Sequence, residues 1–82
     1  MRKYKVQMIT LDEKYDFIHI TGNAKCHMDL VRGNVTVDAA SMLGVTAINT
    51  MNECVLEIHS DDENEIAEVV SKLQKFIKGE VK

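Results

Sequence analysis

The chain has 82 residues, enough for one domain over residues 1–82 and too few for a deep cofactor cleft beside its core. Apolar residues make up 45% and charged residues 28%, a globular balance, and thirteen acidic against ten basic side chains leave a net charge of −3. That balance argues against a nucleic-acid module or a polybasic membrane-surface domain, both of which need a basic surplus. No apolar run reaches the roughly 18 residues of a membrane span. Residues 1–10 are basic, but their apolar part is too short and interrupted for a signal peptide. The expected compartment is cytoplasmic, with Cys26 and Cys54 as reduced thiols.

Residues 4–9 alternate and carry β-branched side chains, which predicts a first strand. Thr10 or Asp12 is placed to cap a following helix, and Asp12 and Glu13 suit the positive end of its dipole. Leu11, Tyr15 and Ile18 fall on one apolar stripe, and Gly22 is the expected left-handed stop. Residues 24–31 alternate again. Ala24, Cys26, Met28 and Leu30 share the inward face, and Lys25, His27 and Asp29 the outward one. Arg32, Gly33 and Asn34 signal a hairpin turn into a strand over 35–39, with Val35, Val37 and Ala39 inward.

Ser41 leads a short apolar stretch to Ile48, read as one or two helical turns with Ser41 at the N-cap. Residues 54–59 form the next strand, with Cys54, Leu56 and Ile58 inward and Val55, Glu57 and His59 outward. Ser60 and Glu63 have capping-box spacing, and Ile66, Val69, Val70, Leu73 and Ile77 make a helical stripe ended by Gly79. The order β-α-β-β-α-β-α, with one apolar face per strand, predicts an α+β open-faced sandwich: an antiparallel sheet with helices on one side.

Residues 37–45, Val-Asp-Ala-Ala-Ser-Met-Leu-Gly-Val, resemble the segment around the regulatory serine of HPr, the histidine-containing phosphocarrier family of the bacterial sugar phosphotransferase system. Residues 60–65 resemble the acidic start of that family's last helix, and the element order is the same. The resemblance is strongest over residues 30–73. It implies a four-stranded sheet in order 1-4-2-3 with three helices on one face. The chain departs from the family at the junction of first strand and first helix. There the family carries Gly-(Leu/Ile)-His-Ala-Arg-Pro-Ala, whereas this sequence reads Ile9, Thr10, Leu11, Asp12, Glu13, without histidine, arginine or proline. Phosphotransfer needs an imidazole nucleophile and positive groups around the arriving phosphoryl group. The expectation is therefore a degenerate HPr-like, non-catalytic regulatory or docking module rather than an enzyme.

The resemblance implies Ser41 as a regulatory phosphorylation site, although Ala40 stands where a lysine is common, and Met42 and Leu43 as the partner-docking residues. The implied partners are proteins, such as an HPr serine kinase or a transcription regulator. The bland alternatives are a plain N-cap serine and ordinary core packing. A second reading keeps the carrier function by moving the phosphoryl group to His19, which competes with a solvent-facing helix histidine about two turns from the dipole end. A third uses the sheet face, where the strand order that the resemblance implies sets His27 and His59 on neighbouring strands, with Asp29 or Glu57 to help bind a metal or small ligand. The His/Cys spacing is not dense, so these residues are read as incidental surface groups, and no metal site and no cofactor are assigned. The acids at Asp61, Asp62, Glu63 and Glu65 are explained by helix capping, and the cysteines by the core. The exposed edge of such a sheet allows a monomer or a weak dimer.

Overall fold

The computed structural model describes residues 1–81. The elements are β1 (Arg2–Val6), α1 (Leu11–Gly22), β2 (His27–Arg32), β3 (Val35–Asp38), α2 (Met42–Ala47), β4 (Cys54–His59), α3 (Glu63–Lys72) and β5 (Ile77–Val81). The strands pair antiparallel in one sheet of order β3-β2-β4-β1-β5.

This corrects the expected sheet. There are five strands rather than four, and the order 1-4-2-3 is extended by β5 beyond β1. The final helix stops at Lys72, and its cap residue Leu73 donates its N–H to Val69 and Val70. Ile77 and Gly79, expected on and at the end of that helix, lie in β5. The physical reason is the edge of β1. As an outer strand it would leave a row of N–H and C=O groups unpaired, and β5 pairs with Lys3, Tyr4, Lys5 and Val6 along it. The alternation of Ile77, Gly79 and Val81 with Lys78 and Glu80 is itself a strand pattern.

The inward side chains of the sheet, among them Val6, Met28, Leu30, Leu56 and Ile58, are buried against the helices. Phe17 of α1 meets Phe76 edge to face with ring centroids 5.6 Å apart. The buried face of α1 is therefore carried by Phe17 and Thr21, with Ile18 and Ile20 half-buried, and not by the expected stripe: Leu11 and Tyr15 are exposed. Phe17 of α1 and Ile66 and Val69 of α3 share this core, so the middle of α1 is held by it while Leu11 in its first turn stays exposed. Gly22 does not adopt a left-handed conformation, and Asn23 caps the helix instead. Thr21 is buried, and its hydroxyl lies 2.7 Å from the Ala39 carbonyl oxygen, to which it donates. This bond ties α1 to the chain leaving β3.

Gly33 has φ +59 in the two-residue turn between β2 and β3, where the right-handed twist of a tight hairpin favours that conformation. Gly44 has a different reason to be glycine. A Cβ there would lie 2.9 Å from the Val37 Cβ, so its absence lets α2 approach β3. The start of α3 also differs from expectation. Asp62, not Ser60, is the N-cap, accepting from the N–H groups of Asn64 and Glu65. The Ser60 hydroxyl donates to Glu65 instead, and Glu63 faces Arg2 at 3.0 Å.

Among the described residues, no helix is long and apolar enough to cross a membrane.

Candidate functional site

Helix α2 begins where the sequence places it. Ser41 is the N-cap with extended backbone, and its Oγ accepts from the Gly44 N–H at 3.1 Å. The Ser41 N–H donates to the Asp38 carbonyl, and an Asp38 carboxylate oxygen accepts from the Ala40 N–H. The serine is therefore held by the turn out of β3 and is half-buried. Val45, one turn on, is buried in the core. Met42 and Leu43 point the other way and are 56% and 84% exposed. A six-residue helix cannot bury every apolar side chain, and Gly44 and Val45 hold the inner side.

The far end of α2 is tied to α1. The Lys14 ammonium lies 3.4 Å from the Thr46 carbonyl oxygen and 3.3 Å from that of Ile48, satisfying carbonyls that a helix end leaves free. Met8 and Thr50 exchange hydrogen bonds, with the Met8 N–H donating to the Thr50 carbonyl and the buried Thr50 hydroxyl donating to the Met8 carbonyl. These links bring the junction of β1 and α1 beside the α2–β4 connection. Leu11 is three residues before Lys14 and Leu43 three before Thr46, so each stands about one helical turn from the Lys14 link. Ile9, Leu11 and Met51 are exposed in the same segments.

The junction itself is closed by a carboxylate. Thr10 caps α1 by accepting from the Glu13 N–H at 3.1 Å, and one Glu13 oxygen accepts from the N–H groups of Ile9 and Thr10 at 2.9 and 3.0 Å. This reciprocal capping box was not part of the sequence reading of the junction, although its Thr-x-x-Glu signature is present there. Hydrogen bonds from the Thr10 and Ile9 N–H groups hold the Glu13 carboxyl below its ordinary range. Two amides that an anion arriving at this junction would need are already occupied by the chain's own anion. Asp12 beside them adds a second negative charge.

His19 is exposed in the last turn of α1, on the eighth residue after Leu11 and thus about 12 Å along the helix from its start. The two cysteines are free. Cys54 is buried and Cys26 half-buried, and burial raises both thiol pKa values, which disfavours the thiolate. Phe17 is buried and offers no stacking surface.

On the face of the sheet away from the helices, the structure brings together the residues the sequence could only align. His27 lies opposite His59 and Asp29 opposite Glu57 in the β2–β4 register. The imidazoles stack with centroids 5.5 Å apart, and Asp29 stands between them with one oxygen 3.0 Å from each Nε2.

No protein-family model matches this chain, and no curated protein matches it significantly. The chain is similar in structure to the crystal structure of HPr-C-His from Thermoanaerobacter tengcongensis, with a TM-score of 0.70 over 92% of this chain and 93% of that one. The sequences are 16% identical, so the likeness is one of fold. An antiparallel sheet with three helices on one face, a serine-capped second helix and this structural match together give the chain an HPr-like fold.

Proposed function

We propose that this protein is a non-catalytic regulatory module of the phosphotransferase type, which docks a protein partner through Met42 and Leu43 and is switched at Ser41. The observation that carries the reading is the exposure of Met42 and Leu43 directly after the N-cap serine of a helix whose inner side is fixed in the core. Water-exposed apolar side chains gain by transfer into a partner, roughly 25 cal/mol per Å² of apolar surface covered. A phosphoryl group on Ser41 would add about −1.5 to −2 charges beside this apolar pair. The helix dipole favours such a charge, and Asp38 opposes it. Its effect on docking would be repulsion of an apolar or acidic partner and recruitment of a basic one.

The junction of β1 and α1 supports the non-carrier half of the reading. It has no histidine, and Glu13 occupies the amides of Ile9 and Thr10. The alternative acceptor, His19, sits near the wrong end of α1 for dipole assistance.

The test is intact mass after incubation with a bacterial HPr serine kinase and ATP, with an ordinary HPr in the same tube. The expected result is one added phosphate, absent in Ser41→Ala. No addition while HPr is modified removes the switch. Transfer of an acid-labile phosphoryl group from phosphoenolpyruvate and Enzyme I, abolished in His19→Ala, would overturn the non-carrier reading.

A further inference from the structure

The open face of the sheet carries a second set of residues with its own chemistry, independent of α2. The β2–β4 register sets His27 opposite His59 and Asp29 opposite Glu57. Side chains two apart on a strand share a face, so the sequences His27-x-Asp29 and Glu57-x-His59 place four donor side chains next to one another on that face. The His59 Nε2 lies 3.0 Å from an Asp29 oxygen and 3.8 Å from a Glu57 oxygen. One ligand atom from each of Asp29, Glu57 and His59 falls within 4.8 Å of the others. The His27 Nε2 lies 3.0 Å from the second Asp29 oxygen.

We propose that His27, Asp29, Glu57 and His59 form a binding site for a divalent transition-metal ion of the zinc class. Zinc bonds to imidazole nitrogen and carboxylate oxygen at about 2.0–2.2 Å, so tetrahedral ligands sit roughly 3.3 Å from one another. The separations of 3.0 and 3.8 Å bracket that value. Two imidazoles and two carboxylates are a borderline donor set, suited to zinc and its neighbours rather than to calcium or magnesium, which prefer oxygen alone. The carboxylates are about four-fifths covered and come from the two neighbouring strands, so the sheet fixes them. The histidines are more open, His27 at 57%, which leaves room for its ring to turn from Asp29 toward the ion.

The surrounding charge favours a cation. Glu57, Asp29 and Asp38 lie side by side across β4, β2 and β3. Like charges directly opposite on adjacent strands repel. Lys3 answers part of this from β1, 3.6 Å from Glu57 Oε2, and the other Glu57 oxygen is the one that faces His59. A bound ion would accept the lone pair of each Nε2, with the ring proton of each imidazole carried on Nδ1. It would replace the two Asp29–imidazole contacts by metal bonds.

The test uses the untagged full chain and zinc chloride, read by long-range proton–nitrogen NMR of the imidazoles with calorimetry for stoichiometry. His19, exposed on α1 and outside both strands, is the internal control among the three histidines. The expected result is saturable one-to-one binding that shifts the Nε2 signals of His27 and His59 and leaves those of His19 unmoved. Asp29→Asn and His59→Gln, both close in size to the native residues, should each weaken binding about tenfold or more. Magnesium in place of zinc should leave the signals unchanged. Equal shifts at all three histidines, no saturation, or unaltered affinity in both variants would overturn the site. So would binding that persists in both variants and is lost in Cys26→Ser/Cys54→Ser. None of these readouts involves Ser41 or a partner protein, so the docking proposal and this one fail separately.

Discussion

The outer side of α2 and the open face of the sheet are both solvent-facing, yet they are built in opposite ways. On α2, Met42 and Leu43 project into water from a helix anchored by Val45 and by the close approach of Gly44 to Val37. On the sheet, His27, Asp29, Glu57 and His59 contact one another and Lys3. An apolar group in water gains only from something outside the molecule. A polar cluster is satisfied in place, and its geometry is as exact as the strand register that sets it. The first surface is therefore suited to a partner and the second to a small ion.

The largest expected effect breaks both surfaces at once. Phe17→Ala removes a fully buried ring that packs on Phe76 and should cost about 3–5 kcal/mol of stability, read as a lower urea midpoint. Gly44→Ala should separate the two. Its Cβ would stand 2.9 Å from that of Val37, so α2 must move off β3. The expected cost is about 1–3 kcal/mol, with amide shifts concentrated in α2 and β3 and the His59 imidazole signals unmoved.

Thr10→Ala removes one half of the capping box at the α1 start and should cost about 1 kcal/mol. Glu13 makes a pH prediction at the same place. Its folded-state pKa is lowered, first by the Thr10 N–H and then by that of Ile9. The stability it contributes is therefore complete above the ordinary glutamate value of about 4.3 and is lost as pH falls through the lowered folded value. Urea midpoints across the acid range should show a shallower acid-side decline in Glu13→Gln. The smallest expected change in stability sharpens the comparison most. Met42→Ala and Leu43→Ala should each alter the urea midpoint by no more than about 0.5 kcal/mol equivalent, because neither side chain is in the core. A larger loss would mean that these side chains support the fold rather than a partner.

The capping box expected at Ser60 does not form, whereas one not foreseen at Thr10 does. Thr10-x-x-Glu13 and Ser60-x-x-Glu63 have the same spacing, and only the first forms the reciprocal pair. At the second, Asp62 is nearer the helix start and takes the cap, while Ser60 turns to Glu65 and Glu63 to Arg2 of β1. Local spacing states which bonds are available. Which of them form is settled in the fold, where Asp62 takes the cap and Glu63 meets Arg2, 61 residues away.

Sequence alone determined the alternation of inward and outward side chains on β2 and β4, the hairpin at Gly33, and the start of α2 at Ser41. These depend on contacts within a few residues, where side-chain period, turn geometry and capping act directly. The buried face of α1, the fate of residues 73–81 and the meeting of the histidines depended on the tertiary structure. Leu11 and Phe17 are both apolar residues on one helix, and only the position of α1 over the sheet buries the second and leaves the first in water. Ile77 fits either a helical stripe or a strand, and the unpaired edge of β1 selects the strand. His27 and His59 lie 32 positions apart, and a one-residue slip of β2 against β4 would turn one of them to the opposite face. Register is a property of the assembled sheet, so the candidate metal site exists only once the chain has folded.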